Sequence, residues 1–185
     1  MRLFSKTDYL RSPWKNGGGE TMQVAIAPPG GAIDDFDWRI SLAAVTSDGA
    51  FSSFPGIDRT LCLVAGAGID LCVDETSVSI RAPDGHHSFR GEAACFARLS
   101  GGPIVDLNIM TRRAVFTHRV VGVGEGSRLG GSGRGGCWFV AVRDSIATSG
   151  QQSAVLAAEN ALRMEPGEFT DLTEGAGWLI ELLPA

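Results

Sequence analysis

Apolar residues recur along this chain in short runs, about every ten to fifteen residues, with turn chemistry between them. Several runs alternate. In Val78-Ser79-Ile80 and Ile69-Asp70-Leu71 every second side chain is apolar, the pattern of a half-buried strand. The pattern predicts strands at 22–27, 38–45, 60–65, 69–73, 77–80, 94–99, 104–110, 115–123, 137–142 and 179–183. Pro28-Pro29-Gly30-Gly31, Gly66-Ala67-Gly68, Pro83-Asp84-Gly85, Gly101-Gly102-Pro103 and Pro166-Gly167 separate them. Residues 151–164 could form a helix, with Val155, Ala158 and Leu162 on one face. The reading preferred here is strand, turn at Glu159-Asn160, strand, which fits the surrounding rhythm. The glycine-dense stretch Gly122–Gly136 reads as a long, mobile hairpin loop. The expected fold class is all-β.

Length and composition bound the rest. With 185 residues, 44% of them hydrophobic, the chain can bury a sizeable core. We expect one domain over 1–185, with a motif-bearing half at 1–112 and a second β half at 113–185. An echo supports two halves: Arg90-Gly91-Glu92 and Pro166-Gly167-Glu168 both precede apolar strands. The net charge of −5 and the lack of a basic stripe disfavour nucleic acid as a partner. No apolar run is long enough to span a bilayer, and the first residues do not read as an export signal. The expectation is a cytoplasmic protein that uses no membrane. The four cysteines, Cys62, Cys72, Cys95 and Cys137, have no CxxC spacing and read as buried free thiols.

Four segments carry unusual chemistry. In Trp14-Lys15-Asn16-Gly17-Gly18-Gly19, successive glycines can turn backbone N–H groups toward an anion, Lys15 adds charge and Trp14 a flat wall. A tight turn with a solvated Lys15 is the plainer alternative. In Trp38-Arg39-Ile40-Ser41-Leu42, alternation puts Arg39 and Ser41 on one face, and Arg39 must reach solvent or a partner. In Phe51-Ser52-Ser53-Phe54-Pro55-Gly56-Ile57-Asp58-Arg59, Arg59 starts a strand beside apolar bulk. Its fork suits a carboxylate ligand, or a salt bridge to Asp58 or Asp106. Asp106, Asn108 and Met110 share one strand face, which lines a cavity if it points inward. His86-His87 reads as a turn dipeptide, and no metal-ligand cluster or nucleophile–base motif stands out. No cofactor and no metal are expected.

Together these segments resemble the HutD/Ves family. The match runs through Trp14-Lys15-Asn16-Gly17-Gly18-Gly19 with Thr21, Phe36-Asp37-Trp38-Arg39-Ile40-Ser41, Ser47-Asp48-Gly49 to Phe51-Ser52, and Phe54-Pro55-Gly56-Ile57-Asp58-Arg59. It continues through Phe89, Gly91, Gly102-Pro103, Asp106-Leu107-Asn108, Met110 and Arg113. The sequence departs from the family at Thr21-Met22-Gln23, where Thr-Arg-Glu is frequent and which bears on ligand choice if that motif lines the pocket, and at Gly49-Ala50-Phe51-Ser52, where Gly-Pro-Phe-Ser is usual. The resemblance implies a metal-free, cupin-like β-barrel or sandwich built from two related halves. It also implies a link to histidine degradation, through binding of an intermediate such as formylglutamate that limits flux. Lys15, Arg39 and Arg59 inside apolar β segments of an acidic protein make a non-catalytic binder of a small acidic metabolite the leading reading. The expected ligand-binding residues are Trp14, Lys15, Asn16, Gly18, Arg39, Ser41, Phe54, Arg59, Asp106 and Asn108. Asn16 or Asn108 would meet a formyl or formimino group. The partner is then a small acidic metabolite, and a homodimer is a possible assembly. The alternatives are a metal-independent cupin enzyme using Asp106 or His118, or a stress-associated interaction protein.

Overall fold

The computed structural model describes residues 1–14, 18–32, 35–83, 85–131 and 135–185. Lys15, Asn16, Asp84 and Arg134 lie outside the described residues. The described residues form nineteen strands and one 3-10 turn, Lys6–Asp8, arranged as two compact units. Among the described residues no helix is long and apolar enough to cross a membrane. In chain order the first strands are β1 Arg2–Phe4, β2 Leu10–Pro13, β3 Gly19–Ala27, β4 Trp38–Val45, β5 Gly49–Ala50 and β6 Ile57–Ala65. Then come β7 Gly68–Val73, β8 Thr76–Arg81, β9 His86–Arg90, β10 Cys95–Leu99 and β11 Ile104–Arg112.

The unit Leu10–Val115 holds two antiparallel sheets, ordered β2-β3-β4-β11-β6-β9 and β5-β10-β7-β8. Val45, Leu61 and Leu63 of the larger sheet pack against Ile69, Leu71, Ile80 and Ala97 of the smaller. Side chains alternate along a strand, so register decides which residues meet on the inner face. Three rows result on β4, β11 and β6. They are Arg39–Met110–Arg59, Ser41–Asn108–Leu61 and Ala43–Asp106–Leu63. A bulge between Val105 and Asp106 shifts β11 against β6 beside the last row; such bulges re-aim nearby side chains.

The remaining strands are β12 Phe116–Gly124, β13 Arg128–Gly130, β14 Cys137–Ala141, β15 Ser145–Ser149, β16 Gln152–Leu156, β17 Ala161–Met164, β18 Phe169–Glu174 and β19 Ala176–Pro184. With Met1–Tyr9 they make the other unit, with sheets β1-β17-β14-β19-β12 and β13-β18-β15-β16. Leu129, Phe139, Leu156, Leu162, Met164 and Leu172 are all fully buried in its core.

The structure differs from the sequence expectations at several points. The first nine residues do not belong with the half at 1–112, because β1 pairs with β17. His86 and His87 are not in a turn. They lie on β9, an edge strand whose exposed positions are polar, so apolar runs give no sign of it. The stretch Gly122–Gly136 is not one long loop: β12 runs through Gly124, and Arg128–Gly130 forms β13 against β18. Over 151–164, by contrast, the preferred reading holds: residues 152–156 and 161–164 are two strands. All four cysteines are free, but Cys72 is exposed while the other three are buried.

Candidate functional site

The inner face of the larger sheet opens into a cavity of about 530 Å³ within the Leu10–Val115 unit. Trp14, Gly18, Phe54 and Ser41 line it, as do Arg39, Arg59 and Asn108. Ser52, Phe51, Thr21 and Met110 also line it, and were not among the expected site residues. Lys15 and Asn16, expected at the same place, lie outside the described residues.

Arg39 and Arg59 sit one strand to either side of Met110, so their Cα atoms are about 10 Å apart by strand spacing. Both are buried, at 6% and 4% exposure. Arg39 is therefore not the solvent-facing Arg that alternation alone allows. The polar face of β4 points inward, and Ile40 and Leu42 on its other face are buried too. Among the described residues the Arg39 guanidinium makes no hydrogen bond or ion pair, and its Nε is buried without a partner. Burial lowers its pKa from the ordinary arginine value.

Arg59 is held more firmly. Its guanidinium carbon lies 4.9 Å from the Phe51 ring centroid, 5.7 Å from Phe54 and 5.1 Å from Phe89. Such cation–π contacts contribute about 0.5–2 kcal/mol each, most when water is excluded. Arg59 Nη2 donates to Asn108 Oδ1 at 2.6 Å, and Nη1 donates to the Ser52 carbonyl at 3.4 Å. The salt bridge allowed for to Asp58 or Asp106 does not form: Asp58 pairs with Arg113 at 2.8 Å. Burial lowers the Arg59 pKa to about 10, against the opposing pull of Asp106.

Asp106 does not line the cavity. It is fully buried behind the wall, and its Oδ1 accepts a hydrogen bond from Asn108 Nδ2. Its row neighbours are Ala43 and Leu63, and its Oδ2 has no partner. Desolvation pushes this carboxyl up to about 7, with Arg59 pulling the other way. Asn108 spends its carbonyl on Arg59 and an N–H on Asp106, which orients its amide. It is therefore less available as an amide partner for a ligand than its sequence position suggests.

The Trp14 wall depends on a close approach. Trp14 Nε1 donates to Thr21 Oγ1 at 2.8 Å. A Cβ at Gly19 would collide with the Ala44 carbonyl oxygen and lie 3.1 Å from two Trp14 ring carbons. Gly19→Ala is expected to destabilise the protein by about 1–3 kcal/mol and to displace Trp14. A lowered urea midpoint and a shift in tryptophan emission would show this; an unchanged midpoint would count against it.

Among the described lining residues there is no histidine, cysteine, lysine, glutamate or tyrosine. Asp48 lines the cavity, but its Oδ1 accepts from the Leu99 N–H at 2.8 Å. His118 belongs to the other unit. Among the described residues no group of three His, Cys, Asp or Glu is placed to hold a metal ion.

A family model described as HutD matches residues 6–180. A Pseudomonas putida protein described as an uncharacterized 21.2 kDa protein in the hutC 3' region is 32% identical over 186 residues, covering 99% of this chain and 97% of that protein. Protein Ves of Citrobacter koseri is 32% identical over 174 residues, covering 90% of this chain and 88% of that protein. The structure of HutD from Pseudomonas fluorescens SBW25 superposes with a TM-score of 0.86 at 28% identity, covering 100% and 98% of the two chains. A cupin 2 conserved barrel domain protein from Leptotrichia buccalis superposes at 0.57 with 7% identity, covering 89% and 88%, a likeness of fold alone. The fold is all-β and cupin-like.

Proposed function

Since the chain belongs to the HutD family, we propose that its cavity is a non-catalytic receptor for a small dicarboxylate, formylglutamate first, and limits flux through histidine utilisation. The observation that carries this reading is the pair of buried guanidiniums, Arg39 and Arg59, on one cavity wall with no carboxylate ion-paired to either among the described residues. Uncompensated buried cations are costly, so an anionic ligand is the natural complement. A cavity of about 530 Å³ lies in the range usual for small-molecule sites. Trp14 and Phe54 give flat apolar walls, and Ser41 and Thr21 bring hydroxyls to the same space. Gly18, from the Gly-rich motif that carries the resemblance, lines the same space. The lining described above offers no nucleophile with an adjacent base, which favours binding over turnover. On this reading the protein is cytoplasmic and uses neither nucleic acid nor membrane as a partner, and a homodimer is compatible with it.

Calorimetric titration of the purified protein with formylglutamate, formiminoglutamate, glutamate and urocanate tests this. Formylglutamate should bind at least about tenfold more tightly than glutamate, whose ammonium group would be desolvated beside two guanidiniums. Absence of heat with all four acids, from folded protein, would remove the receptor. Product formation seen by NMR would remove its non-catalytic character.

A further inference from the structure

We propose that Asp106, one side chain behind the cavity wall, sets the net charge the cavity presents, and takes up a proton when a doubly charged acid binds. It is a positioning and specificity-determining residue, acting through Asn108 and Arg59. The proposal rests on the receptor reading above.

The geometry is a chain that leads from the cavity inward. Arg59 and Asn108 line the cavity; Arg59 donates to Asn108, and Asn108 donates to Asp106. Asp106 itself has no exposure, and its second oxygen is buried without a partner. A neutral carboxyl suits that place better than a carboxylate, because the group has no solvent exposure and no direct ion pair among the described residues offsets its charge. The groups around it on neighbouring strands are few. On β4 its register partner is Ala43, and Arg39 lies two rows away on the same face. On β6 they are Leu63, the Cys62 thiol and Arg59. On β10 the Cys95 thiol faces Arg59. Burial raises both thiols, so they carry no charge near neutral pH. Arg59 is thus the main cation that steadies an ionised Asp106, and that carboxyl already stands raised to about 7.

With Asp106 protonated, the two guanidiniums are unopposed; with it ionised, one of them is offset. An acid that pairs with Arg59 takes over the charge that steadied Asp106 and adds a negative field of its own. Both effects draw a proton from solvent onto Asp106. A dianion does this more strongly than a monoanion, so preference for dianions should grow as pH falls toward neutrality.

The test uses glutarate as the dianion and butyrate as the monoanion, titrated calorimetrically between about pH 6.5 and 8.5. Two buffers of different ionisation enthalpy, HEPES and Tris, report proton uptake directly. Near pH 8 glutarate should bind with uptake of about half to one proton, and its affinity should fall toward tenfold per pH unit above neutrality. Butyrate should show a shallower fall. In Asp106→Asn the uptake and the slope should both vanish while binding persists. Glutarate binding with buffer-independent heat in the wild-type protein overturns the proposal, and needs no variant to fold. An equal slope in Asp106→Asn also overturns it. No glutarate binding at any pH, from folded protein, removes the receptor reading and this proposal with it.

Discussion

Replacing Arg39 with Met is expected to stabilise the ligand-free protein by about 1–3 kcal/mol while weakening dicarboxylate binding roughly 100-fold. The two effects share one cause. Arg39 is 6% exposed, has an orphaned Nε and makes no hydrogen bond or ion pair among the described residues. Its neighbours across the strands are Met110 and Ile26, which give the guanidinium nothing to donate to. Arg59 in the same row adds repulsion. Methionine keeps the unbranched stem and removes the charge, so packing survives and the desolvation cost disappears. On the proposed receptor reading the same change also deletes a charge-assisted contact to a ligand carboxylate, worth about 1.5–3 kcal/mol. Urea unfolding of the free protein and calorimetry with formylglutamate read the two effects separately. A less stable variant with unaltered affinity would make Arg39 a structural residue and leave the cavity without half of its anion site.

Much of this geometry can be read in the alternation of residues, but not its depth. Trp38–Val45 is a strand with the bounds its pattern predicts, and Arg39 and Ser41 share a face as expected. Period two says which side chains go together; it does not say whether their face is wet or enclosed. Here both faces are buried, which only the packing of two sheets decides. Asp106 shows the same limit. Its face is shared with Asn108, yet its place among Ala43 and Leu63, behind the wall rather than in it, follows from register and a bulge. The aromatic cage of Arg59 is harder still. Phe51 and Phe54 stand near it in sequence, but Phe89 arrives by pairing of β9 with β6. That strand was invisible because HHSFR has one apolar residue and two histidines. The resemblance to a family ordered these motifs without placing their side chains.

Stability should fall as pH rises from about 4 to 7, and Asp106→Asn should remove that part of the fall. An unfolded aspartate ionises near pH 4, whereas burial holds the folded Asp106 carboxyl up to about 7. Between those values the native state carries a proton that the unfolded chain has lost. Raising pH therefore favours unfolding. This contribution is complete below about pH 4 and is lost as pH passes 7. Its size is on the order of a few kcal/mol, about 4 at most, for a group with no solvent access. Asp70 pulls the opposite way: hydrogen bonds from Ser79, Arg81 and Ser100 lower its pKa to about 2, but it is exposed and its effect is screened. The informative quantity is thus the difference between wild-type and variant curves, measured as urea midpoints across that range. Asparagine can still accept from Asn108 Nδ2, so the amide that orients Arg59 keeps its anchor. Parallel curves would mean that Asp106 is ionised throughout. The cavity would then hold a fixed charge, partly offset by that carboxylate, and the proposed matching of its charge to a bound acid would have no basis.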